Sequence, residues 1–257
     1  FLKLLKSQRL IYKSLTDKKL LRNNKYDIDA LNFFQAKTYM DLMVYGDIKN
    51  NVDSIQLYKT KISSITNDSL LIGQSYGKSA YTYLKNNMFS KAIIDFQIAS
   101  TYFKNSKKLG SQNSQITNFI NLINTHLYIG TIEQASISLN QLEKVIINLS
   151  NHPRFENLME LVKILKVKIL VANEDYDACL SIMQTVNEKN LDRDQLKVMY
   201  YDVYHRIYNG LNNYTLGEFY LDKKYSPTNK QNSGLFKDLN YTTEKLRYAI
   251  FKDNKTQ

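Results

Sequence analysis

The chain has 257 residues, 43% hydrophobic and 23% charged, with a formal net charge of +11, values that exclude a disordered polymer. Two prolines and eight glycines are too few for the tight turns of a sandwich or barrel, and one cysteine excludes an internal disulfide framework. No stretch reaches the ~18–20 uncharged apolar residues of a membrane span, so a cytoplasmic, mostly helical protein without integral membrane association is expected.

Residues 1–25 hold eight basic side chains against Asp17 alone, so +7 of the +11 lies there. Leu2, Leu5, Leu10, Ile11, Leu15, Leu20 and Leu21 are interspersed among them, which predicts a basic amphipathic linker or capping helix. Cations spread along such a helix can track phosphates, making Lys3, Lys6, Arg9, Lys13, Lys18, Lys19 and Arg22 the candidate nucleic-acid contacts. Anionic lipid, or simple packing with a solvated outer face, accounts for the same pattern. Basic residues interrupt the segment every few positions, so no secretory leader is expected. Its first residue, Phe1, fits either processing or residues upstream.

From there an internal repeat organises the sequence. An aromatic or branched residue is followed by a small residue three positions on, then by larger apolar residues. Phe89, Ala92, Phe96 and Ala99 form one copy. Ile132, Ala135, Leu139 and Leu142 form a second, and Tyr176, Cys179, Met183 and Val186 a third. Weaker copies are Ile48, Asn51, Ile55 and Tyr58, and Tyr214, Gly217 and Leu221, giving a period close to forty. Upstream of the small residue lies a second helical stripe, for example Tyr76, Ser79, Ala80 and Tyr83. Turn signals separate the stripes: Tyr45-Gly46-Asp47, Lys85-Asn86-Asn87, Ile129-Gly130, Ala172-Asn173-Glu174 and Asn209-Gly210. Each copy reads as helix–turn–helix, with the small residue where the helices cross. Leu235, Leu239, Leu246, Ala249 and Ile250 predict a C-terminal capping helix and tail over 235–257, preceded by a polar mobile loop over Ser226–Gly234, with Pro227 stopping the helix before it.

Tyr76, Ala80, Tyr83, Ala92, Phe96 and Ala99 resemble the signature of the tetratricopeptide repeat, and the likeness extends over residues 27–224 as about five units. Repeats of this lengthened kind are similar to those of the Gram-positive peptide-pheromone receptors (the Rap, Rgg, NprR, PlcR and PrgX group) and the phage arbitrium receptors. The resemblance implies an all-α, right-handed superhelical solenoid of about a dozen helices. It implies a quorum-sensing receptor for a short linear signalling peptide, acting as a homodimer and controlling transcription through an attached or upstream DNA-binding unit. In that resemblance the first helix of each unit lines the concave face. The candidate peptide contacts are then Lys78, Tyr81, Lys85, Asn121, Asn124, Tyr128, Lys168, Asp202, Arg206 and Asn209. Asparagines match a peptide backbone, cations match carboxylates, and tyrosines add apolar area with a polar tip. A protein–protein adaptor or scaffold without a peptide switch is the competing reading.

No enzyme chemistry emerges. His126 and His205 fall on core stripes and His152 in a turn, no two at metal-ligand spacing. Cys179 occupies a small core position, so burial rather than nucleophilic catalysis is expected. Gly73-Gln-Ser-Tyr-Gly77 lacks the spacing of a phosphate loop. Neither a metal, a cofactor nor an active site is expected.

Overall fold

The structure, a computed structural model, describes residues 25–108, 110–191, 193–226 and 241–249, all of them in helices or short connections. The basic segment up to Asn24 and the run 227–240 lie outside the described residues. In chain order the helices are α1 (Lys25–Ile48), α2 (Val52–Ile65), α3 (Ser69–Lys85), α4 (Phe89–Asn105) and α5 (Ser111–Tyr128). They continue with α6 (Ile132–Ile147), α7 (Phe155–Ala172), α8 (Tyr176–Met183), a 3-10 turn at Glu188–Asn190, α9 (Asp194–Gly210) and α10 (Tyr214–Lys224). Residues 241–249 form α11. No strand occurs among the described residues, so the fold class is all-α. The chain forms two compact units, Phe1–Thr125 and His126–Gln257.

One turn geometry recurs five times. Asn50, Asn87, Gly130, Glu174 and Asn212 all adopt the left-handed conformation, with φ of 53°, 57°, 77°, 59° and 56°. In each case the next residue's amide reaches back to the final turn of the preceding helix. Those bonds are Asn51 to Gly46 (2.8 Å), Met88 to Tyr83 (2.9 Å), Thr131 to His126 (2.9 Å), Asp175 to Leu170 (3.1 Å) and Asn213 to Tyr208 (2.8 Å). This double-bonded stop satisfies carbonyls that a helix end leaves orphaned. The buried residue five positions after each left-handed residue is Ile55, Ala92, Ala135, Cys179 or Gly217. The same helix stop, followed by a buried residue at the same distance, therefore recurs at five turns among the described residues.

Three sequence expectations change. The first copy is displaced by four residues: Ile48 is 72% exposed and Asn51 caps α2 from outside, its side chain accepting from the Ser54 amide. Ile55 takes the crossing position, with Lys59 and Ile62 buried where Phe96 and Ala99 stand in the next unit. Gly46 and Asp47 are helical and the turn follows at Lys49–Asn51; likewise α9 runs through Gly210 and turns at Asn212. On α11 the buried side chain is Tyr248, whereas Leu246 and Ala249 face solvent.

In the first unit α2 packs against α1 and α3, α4 against α3, and α1 also touches α3. Ala36, Met43, Ile55, Ile62, Leu71 and Ile72 form its core, flanked by the stacked pairs Tyr39–Tyr58 and Tyr76–Tyr102. Gly73 is required at the α3–α4 crossing, because an added Cβ would lie 2.7 Å from the buried Phe103 ring. In the second unit α7 packs against α6, α8 and α9, which is why Leu161, Val162, Ile164, Leu165 and Val167 are buried around most of its circumference.

Candidate functional site

In the first unit, three residues one turn apart on α3 converge on the end of α1. Lys78 Nζ lies 2.8 Å from Asp47 Oδ2, Lys85 Nζ lies 3.0 Å from Oδ1, and the Thr82 hydroxyl donates to Oδ1 at 2.9 Å. Spacings of four and seven put these side chains on one helical face. Burial pushes the Asp47 carboxyl up, but the hydrogen bonds from Lys78, Lys85 and Thr82 together hold it below the ordinary value. Over this group sits the exposed Tyr81 ring, with Lys85 Nζ 5.0 Å and Lys78 Nζ 5.8 Å from its centroid. Two lysines around one carboxylate leave a surplus positive charge beside an aromatic face. The sequence candidates Lys78, Tyr81 and Lys85 thus form one cluster. Asn121 and Asn124 lie half-buried on α5, the Asn121 carbonyl accepting from the Thr125 hydroxyl at 2.7 Å.

The second unit holds a similar group. Asp202 on α9 binds Lys224 Nζ at 2.6 Å and Arg206 Nε at 3.0 Å. Burial raises its carboxyl, but Lys224, Arg206 and Lys168 outweigh that and hold it low. Burial holds the Lys168 ammonium below its usual range, Asp202 opposing and Arg206 and Lys224 adding to the shift. Three cations therefore surround one acid. Tyr128 is exposed in this unit.

Asn209 is half-buried, accepting a hydrogen bond from the Tyr248 hydroxyl and donating to His205 Nε2 at 3.3 Å. His205 Nδ1 lies 3.1 Å from the Gly217 carbonyl and 2.9 Å from Tyr248 Oη. These partners assign the neutral tautomer: Nδ1–H donates to Gly217 and Nε2 accepts from Asn209. The network fastens α11 to α9 and α10. A Cβ at Gly217 would fall 2.5 Å from Asn209 Oδ1, so a side chain there would have to displace this network.

The network makes the second unit acid-sensitive. Burial lowers the His205 pKa, with the Gly217 carbonyl and the charges of Asp202 and Glu244 opposing and Lys224 adding. Because the folded value lies below the unfolded one, near ~6.5, the unfolded chain takes up more protons. Stability is full above that value and falls as the pH drops below it. We expect the thermal midpoint, followed by circular dichroism, to fall between about pH 7 and 5. His205→Gln should flatten the dependence in part, since burial lowers His126 in the same direction.

Sequence reasoning missed Asp47, Thr82 and Lys224. Gly46 read as a helix stop, which took Asp47 off the helical face, and Lys224 lies on a second helix outside the counted offsets. The Asp202/Arg206 spacing of four was the legible signal. Lys3, Lys6, Arg9, Lys13, Lys18, Lys19 and Arg22 lie outside the described residues.

The remaining chemistry-bearing residues have structural partners. His126 Nδ1 bonds Thr131 Oγ1 at 2.8 Å within its turn, and His152 Nδ1 accepts from the Arg154 amide at 3.1 Å. Burial, then the Asp175 charge, pushes the fully buried Cys179 thiol up to about 11, far from a reactive thiolate. Among the described residues no group of His, Cys, Asp and Glu is placed to hold a metal ion, and no helix is long and apolar enough to cross a membrane. No family model matches the sequence, and no curated protein matches it.

Proposed function

We propose that the chain is a peptide-binding regulatory protein, a receptor for a short linear signalling peptide that controls transcription through an attached or upstream DNA-binding unit. Its hairpins stack in this reading as a right-handed superhelical solenoid, and the receptor works as a cytoplasmic homodimer. The observation that carries the reading is the cluster of Lys78, Tyr81 and Lys85 over Asp47 on successive first helices. Such a face offers charge to a peptide carboxylate and a flat apolar surface to a side chain. The buried Asp47 holds both ammonium groups in place and so limits the entropy lost on binding. A ligand acts as a switch only if it binds one conformation better than another.

The test uses a synthetic library of fluorescein-labelled hexapeptides with free carboxylates, read by anisotropy and followed by solution scattering on any binder. The proposal expects a binder that changes the radius of gyration, and Lys78→Glu with Lys85→Glu to weaken it by at least about tenfold. A binder that leaves the radius of gyration unchanged overturns the switch in favour of a passive adaptor. Absence of any binder, or indifference to both substitutions, overturns the site.

A further inference from the structure

Four of the five helices that follow these turns carry an apolar residue at the same depth: Phe96, Leu139, Met183 and Leu221 are all buried. In the first unit that place belongs to Lys59, equally buried. Its Nζ lies 2.7 Å from Asp95 Oδ2 and over the faces of Tyr76 and Tyr83, 4.9 and 5.6 Å from their centroids. A buried ion pair adds less than a well-packed apolar pair of similar volume, because both charges are stripped of water. Stability therefore does not explain why one unit of five breaks the rule, and such breaks concentrate at functional sites.

This pair lines a cavity of about 360 Å³, more open than enclosed, between α2 and α4. Tyr83 closes one side, its hydroxyl donating to Gln56 Oε1 at 2.6 Å. Asp53 and Lys91 stand exposed at the rim, Lys91 Nζ 5.8 Å from the Tyr83 ring. Val52 and the exposed Ile94 give an apolar wall. The volume is at the small end of ligand sites, which run from ~300 Å³ upward.

We propose that this cavity binds a free α-amino acid with an apolar side chain, as its zwitterion. Lining charges are two cations, Lys59 and Lys91, and two carboxylates, Asp53 and Asp95. A ligand of one sign would oppose half of them; a zwitterion, with both signs on adjacent atoms, matches both. The α-carboxylate pairs with the lysines, the α-ammonium with the aspartates, and the side chain lies on Val52 and Ile94. All these residues belong to the compact unit Phe1–Thr125, and the site stands apart from the peptide reading.

Calorimetric titration with L-leucine, L-isoleucine, L-valine and L-methionine tests this, with N-acetyl-L-leucine and L-leucine methyl ester as the singly charged controls. At least one free amino acid should bind, and each blocked form should bind about tenfold more weakly or less. Lys91→Met and Asp53→Asn alter exposed positions that leave the core intact, as circular dichroism would verify, and each should cost a similar factor. Lys59→Met combined with Asp95→Leu should abolish binding in a folded protein. No heat with any of the four at millimolar concentration, equal binding of the blocked forms, or wild-type binding by the rim variants would overturn the proposal.

Discussion

Lys59→Met alone is expected to lower the unfolding free energy by about 3–5 kcal/mol, while Lys59→Met with Asp95→Leu should restore it to near or above the wild-type value. In the single variant Asp95 keeps its charge in a place that is 5% exposed and loses the only ammonium within 4 Å of it among the described residues. Removing both charges leaves no orphan, and methionine fits a position that Met183 fills in the fourth unit. Asp95→Leu alone should be costly for the same reason, since a buried ammonium then remains. Urea denaturation monitored by circular dichroism gives all four values, and their cycle isolates the coupling. Single losses under about 1 kcal/mol, as for a surface pair, would show that water reaches both groups. The cavity beside the pair makes that the alternative worth measuring.

The turns before α4 and α6 were legible because two independent signals coincide in each. Asn87 and Gly130 tolerate the left-handed conformation, and Ala92 and Ala135 follow at a fixed distance as small residues in an apolar stripe. Where one signal was absent the register slipped. Asn51 is small and polar like a crossing residue, but its short side chain is better placed as a cap, and the crossing falls to the larger Ile55. At the Ala172-Asn173-Glu174 turn the left-handed backbone falls on Glu174 rather than on the asparagine, held by the same pair of reverse hydrogen bonds as Asn87. Tyr248 escaped for a different reason. An apolar count favours Leu246, but the hydroxyl of Tyr248 finds His205 and Asn209, and that polar match decides which face of α11 is buried. The candidate site shows the same limit. Lys78, Tyr81 and Lys85 could be placed on one face by spacing alone, but the carboxylate that gathers them comes from another helix. Pairings between distant segments are invisible to periodicity.

Phe96→Ala should cost about 3–5 kcal/mol, whereas Ile94→Ala, two residues away on the same helix, should cost little more than ~0.5 kcal/mol. Phe96 is completely buried and Ile94 is 54% exposed. The sequence around Phe96 gives a reason to expect the upper part of the range. Ala92 and Ala99, the neighbours on its stripe, are also completely buried and have no atoms that could swing into the space a lost ring leaves. Nor can the helix readily shift to close the gap, because the Asn118 amide holds the Phe96 carbonyl at 2.8 Å and Ser100 Oγ at 2.7 Å. The cavity should therefore persist, and its cost rises with the volume that cannot collapse. Phe96→Leu is the informative companion. Leucine already fills this position as Leu139 and Leu221, so the unit geometry accepts it, and the loss should stay below about 1.5–2 kcal/mol. Equal losses for alanine and leucine in urea titrations would mean that the aromatic ring itself is required there. The five hairpins would then share a backbone turn but not a common packing position.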